Sequence, residues 1–331
     1  MSLKLDTLLD CVAAMEPEYS GGLSNHLPMA LIALQCLGAP DATLDAYYAF
    51  YAPRLDVLDT KPQESVQDFH WPEVIGKLDK FRSVRHYFLA QLVREGREKV
   101  LKEVLPMLFK GVGAAAFHGL IRTAYALQVQ HDGELAAALS YWTCRLLRLT
   151  ESEPKSGEMG VGEWIKPFLS ITPPGEDSGL IFEKMRVTAS SQHFSQLLNG
   201  LSVDESTLLH LSRYGSELYL KQKNFTVLHL ITGTHAARLL MPWISDQESA
   251  IRYFSVAYAA GLVSAGINNN AANPPPVEKL EWDEIISRAI EDQNDHVIKL
   301  VYSCVQEATY YQSPVYRAVA NLAVLKKEQA G

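Results

Sequence analysis

Four histidines in this chain each open an apolar run with the period of a helix, and that pairing constrains the fold more than any other feature. The phrases are Asn25-His26-Leu27-Pro28-Met29-Ala30-Leu31, Phe117-His118-Gly119-Leu120-Ile121, Leu228-His229-Leu230-Ile231-Thr232 and Asp295-His296-Val297-Ile298-Lys299. An imidazole that leaves water on a buried helix needs a hydrogen-bond partner or a metal. Four of them on separate helices can share one ion, provided those helices pack into one body.

The rest of the apolar pattern is helical as well. Leu5, Leu8, Leu9, Val12 and Val100, Val104, Met107, Leu108 recur at helical spacing, as do Leu135, Leu139, Trp142 and Leu146. No alternating pattern of any length predicts a strand. The spacing predicts an all-α protein of roughly a dozen helices. Two breaks interrupt it, a Pro- and Gly-rich loop at about 151–178 and a second at about 268–278. Histidine phrases flank both breaks, so residues 1–331 are expected to form a single large helical domain with a buried central cavity. Pro28 suits the first turn of a helix capped by Ser24 or Asn25, with His26 at its mouth. Gly111-Val112-Gly113 before Ala114-Ala115-Ala116 reads as helix packing.

Composition narrows the function classes. A net charge of −8 and the lack of a basic stripe argue against a nucleic-acid partner. No apolar run reaches the roughly 18 residues of a membrane span, and Met1–Asp10 carries acidic residues where a signal peptide has none. Cys11, Cys36, Cys144 and Cys304 stand singly in apolar settings, which predicts buried free thiols in a cytoplasmic protein.

Of the ten histidines, His86 and His131 have polar company, His70 belongs to a loop, and His193 and His210 lack the shared phrase. His229 and His235 are six apart, so at helical pitch they face different ways. His229 aligns with His118 and His296 and is preferred as a ligand, leaving His235 to orient those ligands or face a substrate. His296 and Lys299 share a helix face. Desolvation would lower the lysine pKa, and its neutral amine can add carbon dioxide to give a carbamate oxygen ligand. The plainer reading is a surface lysine paired with Asp295 or Glu307.

Imidazoles with one oxygen donor and no thiolate suit Fe, Cu, Ni or Zn. There is no HExxH, and no glutamate stands three residues before any histidine, which disfavours zincin and ferritin-like di-iron sites. The chain has no GxGxxG after a strand, no GxxxxGK[ST] and no GxSxG, so dinucleotide, P-loop and hydrolase sites lack their signatures.

At its histidine phrases the sequence resembles the questin oxidase-like family. The resemblance rests on Asn25-His26 with Met29-Ala30-Leu31 and Leu37-Gly38-Ala39, on Phe117-His118-Gly119-Leu120-Ile121, on Leu228-His229 with Thr232 and His235-Ala236, and on Asp295-His296 with Lys299. It implies an all-helical oxygenase that opens an aromatic polyketide ring in a Baeyer-Villiger-like reaction. It also implies a non-haem metal centre, iron by expectation, held by His26, His118, His229 and His296, with Lys299 as a carbamylated fifth ligand. This chain is shorter than the fungal members, so substrate identity transfers less well than fold and site.

On this reading the partners are a small phenolic or quinone-type compound and O2. Tyr125, Thr232 and His235 are catalytic candidates for orienting the substrate. Electrons would come from an external reductase or from NADPH, for which the chain has no binding motif. The rival of another class is a metal-free helical protein that binds a hydrophobic small molecule or partner, its histidines satisfied by Thr123, Thr232 and nearby carbonyls. A flavin- or NADPH-dependent Baeyer-Villiger oxidase is a third reading, disfavoured by the missing nucleotide fingerprints.

Overall fold

A computed structural model describes residues 2–58, 70–175, 179–267 and 278–325. The chain begins with α1 (Leu3–Val12), a two-residue hairpin of β1 (Glu18–Tyr19) and β2 (Leu23–Ser24), then α2 (Leu27–Cys36) and α3 (Asp41–Tyr51). It continues through α4 (Phe81–Glu95), α5 (Arg97–Phe109), α6 (His118–Gln128), α7 (Asp132–Cys144), α8 (Val161–Ile165), α9 (Ile181–Ala189) and α10 (Gln192–Gln196). The last part comprises α11 (Thr207–Gln222), α12 (Phe225–Leu240), α13 (Gln247–Ser264), α14 (Trp282–Glu291), α15 (Asp295–Tyr311) and α16 (Val315–Val324). The all-α architecture is as expected, with sixteen α-helices among the described residues where about a dozen were predicted from average helix length.

The loop expected at about 151–178 is not bare coil, because Val161, Trp164, Ile165 and Phe168 bury their side chains in α8 and a following 3-10 turn at Lys166–Ser170. The second break, at about 268–278, lies outside the described residues except for its last position. Among the described residues no helix is long and apolar enough to cross a membrane.

Four helices build the centre. Helix α2 packs on α6, α6 on α12, α12 on α15, and α15 on α2, closing a ring. These segments are apolar on nearly every side rather than on one stripe, as befits helices with neighbours all round. Leu27–Leu34 of α2 are all buried, as are His118–Ala126 of α6 and Val227–Ala237 of α12. At α6 the approach is close enough to require glycine. A Cβ on Gly119 would stand 2.7 Å from Cβ and 2.8 Å from Cα of Trp142 on α7.

Three local expectations are corrected. The N-cap of α2 is His26 itself, while the Asn25 side chain accepts the Leu27 N–H at 3.0 Å. Pro28 lies in the first turn as expected. The stretch Gly111–Ala116 is a series of turns rather than helix, and Ala115, Ala116 and Phe117 all take left-handed φ values of 46°, 55° and 70°. Finally, Cys144 and Cys304 are buried, but Cys11 and Cys36 are exposed. Cys11 lies on the outer side of α1 and Cys36 at the C-terminal end of α2, where the helix emerges from the core.

Candidate metal centre

The four phrase histidines come together. His26 caps α2, His118 starts α6, His229 lies in the second turn of α12 and His296 is the second residue of α15. Four helix N-termini therefore converge, and their aligned peptide dipoles create a positive field. The His26 and His118 rings stack at 4.5 Å between centroids, His26 meets His296 at 4.6 Å, and His229 lies 5.1 Å from both His118 and His296. One ring nitrogen each from His26, His118 and His296 falls within 4.8 Å of the others. His229 is outside that tight triple and touches it through its ring.

Each imidazole turns Nδ1 to an oxygen. His118 Nδ1–H donates to the Ala115 carbonyl at 2.5 Å and His229 Nδ1–H to the Phe225 carbonyl at 2.9 Å. The left-handed turn at 115–117 delivers that Ala115 carbonyl, at a cost of order 1–3 kcal/mol per strained residue. His26 Nδ1 contacts Asp295 Oδ2, which also lies 3.1 Å from His296 Nδ1 and 3.5 Å from Lys299 Nζ. These carboxylate contacts are close but poorly aligned as hydrogen bonds. With Nδ1 protonated toward oxygen, the lone pairs reside on Nε2. His26 Nε2 and His118 Nε2 nevertheless face each other at 2.7 Å, and the buried His296 Nε2 has no partner. Two facing lone pairs at that distance need a proton or a cation between or beside them, so the donor set fits a metal ion.

Burial disfavours the charged form of every imidazole in this cluster and of Lys299. The His26 pKa falls to about 3, first through burial and then through the nearby Lys299 charge. His118 and His229 are pushed well below their ordinary range, and His296 is lowered, in each case chiefly by desolvation. Lys299 is likewise lowered by burial, against the opposing pull of Asp295. Burial alone would raise the Asp295 carboxyl, but the close approach of His26 and Lys299 holds it low. Lys299 is 2% exposed, so it is not the surface lysine of the plainer reading, and Glu307 is not its partner.

The other candidates lie outside the imidazole cluster. His235 is wholly buried, with Nδ1 2.6 Å from Glu307 Oε1, which also accepts from Arg238 Nη2 at 2.6 Å. Tyr125 stands 6.1 Å from the His235 ring and places its hydroxyl 3.0 Å from Ser303 Oγ and 3.3 Å from the Lys299 carbonyl. Thr232 donates its hydroxyl back along α12 to the Leu228 carbonyl at 3.2 Å. His70, His193 and His210 are exposed, and His131 caps α7 by accepting the Glu134 N–H.

Sequence reasoning missed two features here. Asp295 was read as a flank of His296 and a possible partner of Lys299, which it is at 3.5 Å, but its contact with His26 was missed. Phe225 gave no signal, yet its ring lies 4.8 Å from His229 and 4.7 Å from His296. The expected central cavity is occupied at this point by ring packing. Cavities of about 690 and 320 Å³ flank the α14–α15 turn outside it.

A ring of helices with a buried histidine cluster at its converging N-termini defines the class, an all-α protein with a candidate site at its centre. Residues 23–206 match the family model described as questin oxidase-like, which is more than half of the chain. The protein belongs to the questin oxidase-like family, and membership points to an oxidase. No curated protein matches the chain.

Proposed function

We propose that the protein is a non-haem iron oxygenase acting on a phenolic or quinone-type aromatic compound with O2. The observation that carries this reading is the 2.7 Å approach of the His26 and His118 Nε2 atoms, with Nδ1 of both histidines committed to oxygen acceptors. His26, His118, His229 and His296 would hold the iron, and Lys299, as a carbamate, would add an oxygen ligand. Iron, when bound, supplies one-electron chemistry toward O2 that closed-shell side chains lack.

The chain's own residues set the conditions for that chemistry. The Ala115 and Phe225 carbonyls and the Asp295 carboxylate fix the imidazole tautomers, which keeps Nε2 available. Four helix N-termini lower the free energy of negative charge, so a phenol bound there is favoured as its electron-rich phenolate. Burial of the histidines excludes water from the reacting groups. Insertion of one oxygen atom into a ring leaves the other as water and consumes two electrons and two protons. An external reductase or NADPH would supply the electrons, and a Baeyer-Villiger-like ring cleavage is the outcome consistent with the family.

Oxygen uptake by the iron-loaded protein with a panel of phenols and quinols, in the presence of a chemical reductant, tests the reading. Uptake that depends on both iron and the aromatic compound is expected. Uptake no greater than with the metal-free protein would overturn it.

A further inference from the structure

We infer that Phe225 is the access gate of the histidine centre, the residue whose ring must swing aside for a ligand to reach His229 and His296. This deepens the oxygenase reading and rests on it for the identity of what enters. Phe225 is 55% exposed, unlike the residues it touches, yet its ring lies edge-on to His229 at 4.8 Å and tilted on His296 at 4.7 Å. His118 and His229 are 6% and 2% exposed, whereas the His296 and Asp295 side chains each retain 14%. The centre therefore comes nearest to solvent at the start of α15, and Phe225 stands against that rim.

The backbone of Phe225 is pinned while its ring is not. Asn224 caps α12 by accepting the Thr226 and Val227 N–H groups at 2.9 and 3.1 Å, and its amide donates to the Ala265 carbonyl at 2.9 Å. The Phe225 carbonyl holds His229 Nδ1. A rotation about χ1 of Phe225 therefore opens the rim without releasing the histidine that its own carbonyl positions. Rotamer changes of half-exposed side chains are fast, so such a gate limits access by the population of its open state.

Two rates test the gate in wild type, Phe225→Ala and Phe225→Leu. The first is the carbethoxylation of His229 and His296 by diethyl pyrocarbonate in the metal-free protein, read peptide by peptide. The second is iron loss from the loaded protein to a chelator. An open state populated at about 10% or less predicts at least about tenfold faster modification and iron loss in Phe225→Ala, with Phe225→Leu between. His235, wholly buried, is the internal control and must stay unmodified if the variants are folded. Should Phe225→Ala expose His235, the leucine variant decides. Unchanged modification of His229 and His296 in a folded variant overturns the gate. Wild type that binds no iron would defeat the oxygenase reading, while the modification rates would still decide the gate.

Discussion

His26 and His118 meet Nε2 to Nε2 at 2.7 Å, although they are 92 residues apart and begin different helices. Neither Nδ1 is free to relieve the encounter, because Asp295 and the Ala115 carbonyl already engage those atoms. The relationship has consequences for metal retention, stability and acid response.

Asp295→Asn should weaken metal binding without abolishing it. The carboxylate orients His26 and His296 rather than the whole set, and loss of such an outer partner typically costs about 10–100-fold in affinity. Competition with a chelator of known affinity measures this; unchanged affinity would mean that Asp295 does not orient the ligands.

Gly119→Ala should destabilise the fold by roughly 1–3 kcal/mol, because the new methyl meets the Trp142 backbone rather than a movable tip. Since His118 is the adjacent residue, metal affinity should fall along with the midpoint of denaturant unfolding. Each can be measured on the same preparation.

Glu134→Ala should cost about 3–5 kcal/mol by leaving Arg122 charged and unpaired in the core. The Arg122 guanidinium is held through Nε at 2.5 Å and Nη2 at 2.9 Å, with Nη1 unpartnered. The double variant Arg122→Met, Glu134→Leu should recover most of the loss, and urea unfolding of the three proteins checks the cycle.

Glu307 predicts an acid-side loss of stability. Burial would raise its pKa, but bonds from His235 and Arg238 outweigh this and lower it. Below the unfolded glutamate value of about 4.3 the unfolded chain binds the proton first, so stability falls as pH drops toward the folded value. Thermal unfolding between pH 6 and pH 3 should therefore drop more steeply in wild type than in Glu307→Gln. Parallel slopes would show that Glu307 is not ionised in the fold.

The helical fold and the four phrases were legible because both rest on strong local chemistry, apolar period and the desolvation of imidazole. The link of Asp295 to His26 was not, since an acidic residue at a helix start reads equally well as a partner of the helix dipole. Phe225 was hidden because half of its contact is with His296 on another helix. The left-handed run at Ala115–Phe117 was unreadable, as alanine has no preference for that conformation and only the tertiary packing imposes it. His235 was read as orienting the ligands or facing a substrate, and its partner Glu307, 72 residues away, gave no local signal.

The central claim is that the clustered imidazoles bind one metal ion, and elemental analysis tests it most directly. Protein loaded with Fe(II) under anaerobic conditions and freed of excess iron without a chelator should retain about one iron per chain, with none retained by His118→Ala or His229→Ala. A wild type that emerges without metal, or a His229→Ala variant that keeps its full complement, would contradict the account.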